Sequence, residues 1–290
     1  MLVSIYLPTR NRVDLLQKAV DSALAQTYRD IELIVVNDAS TDGTEEYLRR
    51  KAQIDSRLIH LSNSKPQGAP TSRNLAISRS SGAFVTGLDD DDEFHPERIG
   101  AFVEYWTLLT SRGTTPACLY SQDIWLNNGV QYRTTQKRSF IEAKELFEYN
   151  YIGNQIFAPR EHFITVGLFD EQLPAWQDLE LLIRLLRQFG RAHLLDMPTY
   201  LFDVTLRPDR ISSQERKIRA AFEIVAKKHS EKDAAKQLTL FLQMFQHGYN
   251  ISPSLGDWLK FFRFRKFPKG LLRMINSTIA NGSSDLTPKS

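Results

Sequence analysis

The chain has a single cysteine, Cys118, among its 290 residues. That excludes an intrachain disulfide framework and a multi-cysteine zinc site, and it suits a reducing cytosol. Cys118 itself lies inside an apolar stretch and reads as core. No apolar run approaches the ~18 residues needed to cross a bilayer. No sign of charge dominates: 37 Lys and Arg against 34 Asp and Glu leave a net +3, too little to argue for nucleic acid as a partner. His162, His193 and His229 lack metal-ligand spacing. No G-x-G-x-x-G follows the first apolar run, which disfavours a nicotinamide-dependent dehydrogenase. There is no internal repeat. Met1 to Leu7 carries neither a basic n-region nor a cleavage pattern, so it reads as a first strand rather than a signal peptide.

What is present is a core-forming composition, 42% hydrophobic and 24% charged. Such a chain can build one large domain or a domain with an appendage. The first third alternates short apolar runs with helical stripes. Leu2 to Leu7, Ile31 to Val36, Leu58 to Leu61 and Phe84 to Leu88 read as strands. Leu15, Leu16, Ala19, Val20, Ala23 and Leu24 recur at helical spacing, and further helices are expected from Thr44 to Asp55 and from Ala69 to Gly82. Pro70 falls in the first turn of the latter, where its missing N–H costs nothing. Strands separated by helices of this length predict an α/β fold with a mostly parallel, doubly wound sheet. Downstream, Pro96 opens a helix to about Ser111, Ala117 to Trp125 is strand-like, and Asn127-Asn128-Gly129 marks a hairpin. Ile156 to Ala158 and Tyr200 to Val204 read as strands, and Leu179 to Leu186 as a helix. Beyond Arg207-Pro208-Asp209 only helices are expected, so the chain divides into residues 1–205 and a helical region 206–290, disordered from about Asn281.

Each early strand ends in polar punctuation. Pro8-Thr9-Arg10-Asn11-Arg12 follows the first, Asn37-Asp38-Ala39-Ser40-Thr41-Asp42-Gly43 the second, and Gly68-Ala69-Pro70-Thr71-Ser72-Arg73-Asn74 the third and its loop. Four consecutive aspartates, Asp89 to Asp92, follow the fourth. Parallel strands bring these ends to one sheet edge, where ligands of open α/β sheets bind. Like charges this close call for a cation, and carboxylate oxygens suit a hard divalent ion. Amides and cations can meet phosphates, and a carboxylate can accept from a base N–H. For Asp38 and Asp42 the competing reading is a turn former or cap, favoured for Asp42. Asp178 precedes the stripe Leu179, Leu182, Ile183 and Leu186, which also suits an N-cap.

Taken in order, five segments resemble inverting glycosyltransferase family 2, of the bacterial polysaccharide or O-antigen type. They are Val3 to Arg12, Val35 to Thr44, Ala69 to Ala76, Leu88 to Asp92 with Pro96, and Gly167-Leu168-Phe169-Asp170-Glu171 with Gln177 to Arg184. The resemblance spans about Val3 to Val204 and implies the GT-A fold, a Rossmann-like sheet flanked by helices. It implies metal-dependent, inverting transfer of a hexose from a nucleotide-diphospho-sugar, expected to be a UDP-sugar, to a glycan or lipid-linked glycan by direct displacement. The residues it assigns to the nucleotide-sugar are Pro8, Thr9, Arg10, Arg12, Asp38, Arg73, Asp89 and Asp90, with Asp38 on the base. Mn²⁺ or Mg²⁺ would be held by Asp91 and Asp89, the outer places of the DXD pattern. Asp178 would be the catalytic base. The family often has Glu-Asp where this chain has Gln177-Asp178, and four acids leave the ligating pair ambiguous.

Two other functions compete: a catalytically silent nucleotide- or carbohydrate-binding protein, and a sugar nucleotidyltransferase. Retention of Asp91 and Asp178 argues against the first. The absence of a Gly-rich basic loop near the N-terminus argues against the second. Residues 257–273 mix bulky apolar groups with cations and suit a membrane interface, a terminal helix docked on the catalytic domain, or contact with a second subunit in a homo-oligomer. The resulting expectation is a cytoplasmic protein, peripheral at the inner face of the cell membrane if that segment meets lipid.

Overall fold

Apolar runs with no alternation demand cover on both faces, as in parallel sheets flanked by helices. A computed structural model describes residues 1–153, 155–205, 214–246, 249–264 and 268–282. In it every residue of strands β1 (Val3–Thr9) and β2 (Ile31–Asn37) is buried. Helix α1 (Val13–Leu24) lays Leu16, Ala19, Val20, Ala23 and Leu24 onto them. Helix α2 (Thr44–Ile54), strand β3 (Leu58–Ser62), helix α3 (Ala69–Arg79) and strand β4 (Phe84–Gly87) follow. Together they complete the order β3-β2-β1-β4, all parallel. Pro8 is tolerated in β1 because pairing with β4 has ended at Tyr6, so its missing N–H faces no partner.

The sheet continues after β5 (Glu93–Phe94) and helix α4 (Arg98–Ser111). Strand β6 (Cys118–Asn127) turns at Asn128-Gly129, both at positive φ, into β7 (Val130–Thr134), the expected hairpin. After β8 (Phe140–Ile141) come β9 (Phe157–Pro159), α5 (Arg160–Thr165), α6 (Gln177–Phe189) and β10 (Ala192–Asp203). The path reads β3-β2-β1-β4-β9-β6-β10-β5, with β9 and β5 antiparallel to their neighbours. This is the mixed α/β architecture with a mostly parallel central sheet.

Strand β10 is far longer than Tyr200 to Val204. Its register on β6 shifts at Pro198 and again before Tyr200. Bulges of this kind break the apolar alternation that marks a strand in sequence. Beneath it lies Arg98, fully buried, donating to Ser121 Oγ (2.8 Å) and Thr199 Oγ1 (3.0 Å). Its guanidinium lies 4.7 Å from the ring centroids of Phe94 and Phe102 and 5.0 Å from Tyr200. Burial pulls its pKa down to about 10, opposed by Tyr200 and Asp123.

The chain separates into two compact units. One holds the sheet: Met1–Ala143, Tyr151–Glu171 and Leu181–Thr205. The other holds Lys144–Asn150, Gln172–Glu180 and Leu206–Ser290, so the first turn of α6 belongs to it. Its helices are α7 (Glu215–Ser230), α8 (Ala234–Gln243), α9 (Leu255–Arg263) and α10 (Pro268–Gly282). Phe222 of α7 meets Phe241 of α8 edge-on at 5.8 Å. Arg219 of α7 holds both oxygens of Asp257 on α9 (2.8 and 2.9 Å). Of the segment 257–273, residues 257–263 belong to α9 and residues 268–273 to α10. The expected boundary at Arg207-Pro208-Asp209 and the tail beyond Gly282 lie outside the described residues.

Candidate active site

The loops after β1 and β2 are bound to each other before any ligand arrives. Asn11 and Ala39 both take positive φ. Asn11 Oδ1 accepts from Thr41 N (2.7 Å), Ser40 Oγ accepts from Asn11 N (2.9 Å), and Asp38 N donates to Thr9 O (2.9 Å). Asp42 accepts from Val13 N and Thr44 N (both 3.1 Å), serving the first turns of α1 and α2. Burial opposes its ionisation, but these bonds and the Thr44 hydroxyl outweigh it and hold its pKa low. Of the turn-former or cap reading favoured for Asp42, the bond to Thr44 N gives the turn former, since the N-cap of α2 is Gly43.

Asp38 is buried and used by its own chain. Its Oδ1 accepts from Asn63 Nδ2 (2.7 Å) and Gln67 N (2.8 Å), and its Oδ2 from Gly68 N (2.8 Å). It therefore shapes the turn into α3, where Gly68 adopts φ +91. A carboxylate offers about four acceptor sites. These three bonds leave room for one more donor.

The four aspartates divide by turns. Asp90 and Asp92 point inward. Asp90 accepts from Thr9 Oγ1 (2.8 Å) and Arg12 Nη1 (2.9 Å), and Asp92 from Tyr200 Oη (2.7 Å) and Asp203 N (2.9 Å). Asp89 and Asp91 are 20% and 13% exposed, enough for a ligand to touch. Asp89 pairs with Arg73 Nη2 at 3.0 Å, and Asp91 lies 3.7 Å from Arg12 Nη1. Burial pushes Asp90 up to about 6, with Arg12 opposing and Asp91 adding. Burial and the charges of Asp91 and Asp89 push Asp92 well above the ordinary carboxylate range. Arg10 stands exposed on the loop after β1.

Do these residues suit a divalent ion? Every nearby donor is a hard oxygen, and Arg12 and Arg73 set two positive charges against four carboxylates. Among the described residues, no group of three or more His, Cys, Asp or Glu is arranged to hold an ion. Asp89 and Asp91 would then supply part of a coordination sphere, completed by diphosphate oxygens and water, as is usual for Mg²⁺. The cluster fits an ion bound in that way.

Arg73 also lies 5.4 Å from the Phe169 ring. Next to it, Asn74 Nδ2 donates to Phe169 O (2.9 Å) and Glu171 Oε1 (3.0 Å), and Asn74 Oδ1 accepts from Phe169 N (2.9 Å). Segments almost a hundred residues apart are thereby joined. The turn itself has Gly167 and Leu168 at positive φ, and Arg184 of α6 donates to Val166 O and Leu168 O.

Asp178 belongs to the helical unit. Trp176, at φ +57, accepts through its carbonyl from Glu180 N (3.0 Å), so Trp176 occupies the N-cap position and Asp178 the first turn. Asp178 Oδ2 accepts from Asn150 Nδ2 (2.7 Å). Trp176 is buried, and its indole N–H donates to Tyr249 Oη (3.0 Å). Burial, then the charge on Asp178, pushes the Tyr249 phenol up. Glu180 turns away to a buried His229 (3.0 Å). Sequence reasoning missed Asn150, Tyr200 and the Asn63–Gly68 turn, because each reaches its carboxylate across a long stretch of chain. Tyr200 and Asp92 are 108 positions apart.

The family profile described as Glycosyl transferase family 2 matches residues 4–169. A protein of Escherichia coli (strain K12), WcaA, whose name assigns it to colanic acid biosynthesis as a glycosyl transferase, is 31% identical over 246 residues. That match covers 83% of this chain and 86% of WcaA. Other curated relatives are longer, and the matched part is 27–31% of three of them. Among solved structures, S. aureus TarS 1-349 in complex with UDP-GlcNAc aligns with a TM-score of 0.68 at 16% identity, over 98% of this chain and 91% of that one. The mannosyltransferase PcManGT from Pyrobaculum calidifontis, in complex with GDP-Man and Mn²⁺, aligns at 0.59 and 15% identity, over 99% and 76%. At such identities the two structures speak to the fold, which is GT-A. With the profile covering more than half its length and ordered motifs on one sheet edge, the chain belongs to glycosyl transferase family 2 and is a glycosyltransferase.

Proposed function

We propose that this chain transfers a hexose from a UDP-sugar to a hydroxyl of a saccharide or lipid-linked saccharide, with inversion at the anomeric carbon. The observation that carries the reading is the division of the aspartates: Asp90 and Asp92 are held by the fold, while Asp89 and Asp91 are left partly exposed beside two arginines. That arrangement suits a diphosphate and a divalent ion. TarS, with its UDP-GlcNAc, and PcManGT, with its GDP-Man and Mn²⁺, support the substrate class by likeness of fold.

In this reading Asp38 accepts from the base through its remaining lone pair, and Thr9, Arg10 and Arg12 line the nucleotide on the loop after Pro8. Arg73 meets the phosphates in exchange for Asp89. Asp89 and Asp91 would hold Mn²⁺ or Mg²⁺, which supplies neutralisation of negative charge on the departing diphosphate. Asp178 removes the acceptor hydroxyl proton while the oxygen attacks the anomeric carbon. Asn150 donates to one carboxylate oxygen and so orients the other toward its task. Asp90 keeps Thr9 and Arg12 in place beside the nucleotide, and Asp92 ties the cluster to Tyr200 and Asp203 N.

A screen of nucleotide sugars tests this, scoring metal-dependent donor hydrolysis and then the anomeric coupling of the transferred sugar by NMR. A β-linked product from an α-configured UDP-sugar is expected. Retention of configuration, or no turnover of any UDP-sugar with either ion, would overturn it.

A further inference from the structure

Helices α9 and α10 each turn one face inward and leave an apolar one in water. Inward on α9 are Asp257 and Phe261, both buried. Inward on α10 are Met274, fully buried, and Gly270, where a Cβ would press on Leu242 and Phe261. The exposed positions combine apolar side chains with Arg263 on α9 and Arg273 on α10. On α9, Leu255 (78% exposed), Leu259 (66%) and Phe262 (50%) follow one another at i, i+4 and i+7. On α10, Leu272 (64%) and Ile275 are exposed one turn apart. Clustered exposed apolar groups mark an interaction surface.

Charge selects the occupant. From Trp258 to Ser284 the sequence contains six cations, Lys260, Arg263, Arg265, Lys266, Lys269 and Arg273, and no acidic residue. Lys260 is held by Glu223 of α7 (2.9 Å), whereas Arg263 and Arg273 are exposed. A second copy of the same face would bring Arg263 and Arg273 against their own kind. An anionic surface would not, and apolar side chains alternating with Lys and Arg are the pattern of helices that lie in a lipid interface. Among the described residues, no helix is long and apolar enough to cross a membrane.

We propose that the exposed apolar and basic positions of α9 and α10 dock on an anionic lipid bilayer. Leu255, Leu259, Phe262 and Leu272 enter the boundary between headgroups and acyl chains, and Arg263 and Arg273 meet lipid phosphates. The surface lies wholly in the helical unit and needs none of the residues assigned to donor or acceptor, so it stands whether or not the proposed reaction does.

Co-sedimentation of the full chain with vesicles tests it. Vesicles of phosphatidylcholine with phosphatidylglycerol should carry the protein down at low salt, vesicles of phosphatidylcholine alone should not, and high salt should release it. Leu255→Ser with Leu259→Ser removes exposed groups only, so the fold should survive and the binding be lost. A second variant, Arg263→Gln with Arg273→Gln, guards against misfolding of the first and should weaken partitioning about 30-fold, the effect of two cations near an anionic surface. Wild-type protein that stays in the supernatant with the anionic vesicles would overturn the proposal. So would equal binding to neutral vesicles, unchanged binding by both variants, or a wild-type dimer in analytical ultracentrifugation that the serine variant converts to monomer.

Discussion

Replacing Tyr200 by phenylalanine removes one oxygen and leaves the ring. That oxygen donates to Asp92 Oδ2 (2.7 Å), and Asp92 is buried with Asp203 N as its other donor. Withdrawing a donor from a buried carboxylate costs about 1.5–3 kcal/mol. For a unit of this size about 2 kcal/mol lowers Tm by roughly 4–8 °C. The same oxygen accepts a long hydrogen bond from Asp89 N (3.5 Å). The ring contacts with Phe94 (5.8 Å) and Arg98 (5.0 Å) need not change, so the loss should come from the hydroxyl's hydrogen bonds, chiefly the one to Asp92. A second consequence follows from position. Asp92 is the inward anchor beside Asp91, and loosening it should weaken metal-dependent nucleotide binding about 10-fold or more, as changes at one remove from a metal ligand do. Differential scanning calorimetry and a nucleotide titration with Mn²⁺ measure the two effects. A lower Tm with unchanged affinity would refute the link from the Tyr200 hydroxyl, through Asp92 and Asp89 N, to the outward aspartates. No change in either would refute the hydrogen bond itself.

Asp178→Asn should leave UDP affinity within a factor of about two and cut turnover by roughly 10²–10⁴-fold, the loss of a general base; transfer at the wild-type rate by a folded variant would send the search for the base elsewhere. Asn150→Ala, which removes the donor on Asp178 Oδ2, should lower kcat by about tenfold or more with little effect on donor KM, measured by steady-state kinetics. Asp257→Asn tests the helical unit. Burial opposes ionisation of Asp257, but Arg219 and Ser254 outweigh it and hold its pKa below the usual carboxylate value. The stabilisation is therefore full above the unfolded value of about 3.9 and is lost as pH falls through the lower folded one. The variant should lose about 1–3 kcal/mol at neutral pH, and the gap to wild type should close in melts taken below about pH 4.

The parallel half of the sheet was legible because its strands are uninterrupted apolar runs and its helices carry clean stripes, as in Leu16, Ala19, Val20 and Ala23. The strand-end motifs were legible for the same reason, since parallel strands must bring them together. What was hidden is long-range or irregular. Strand β10 runs through Asp196 and Pro198 by shifting register on β6, so only its last residues carried a strand signal. The inward and outward alternation of Asp89 to Asp92 has no trace in four identical letters. It is set by Thr9, Arg12 and Tyr200, residues from the first and last strands of the sheet unit and the loop after β1. Asn150 reaches Asp178 from a segment with little regular structure, and nothing in its neighbourhood announces it.

The central claim is that Asp89 and Asp91 form the exposed half of a nucleotide-diphosphate site that depends on a divalent ion. Isothermal titration of UDP into the full chain, with Mn²⁺ and then with a chelator, tests it most directly, repeated on Asp91→Ala. The account predicts binding that requires the ion and that the variant weakens severely while keeping its fold by circular dichroism. UDP binding of equal strength without the ion, or in the folded variant, would contradict it.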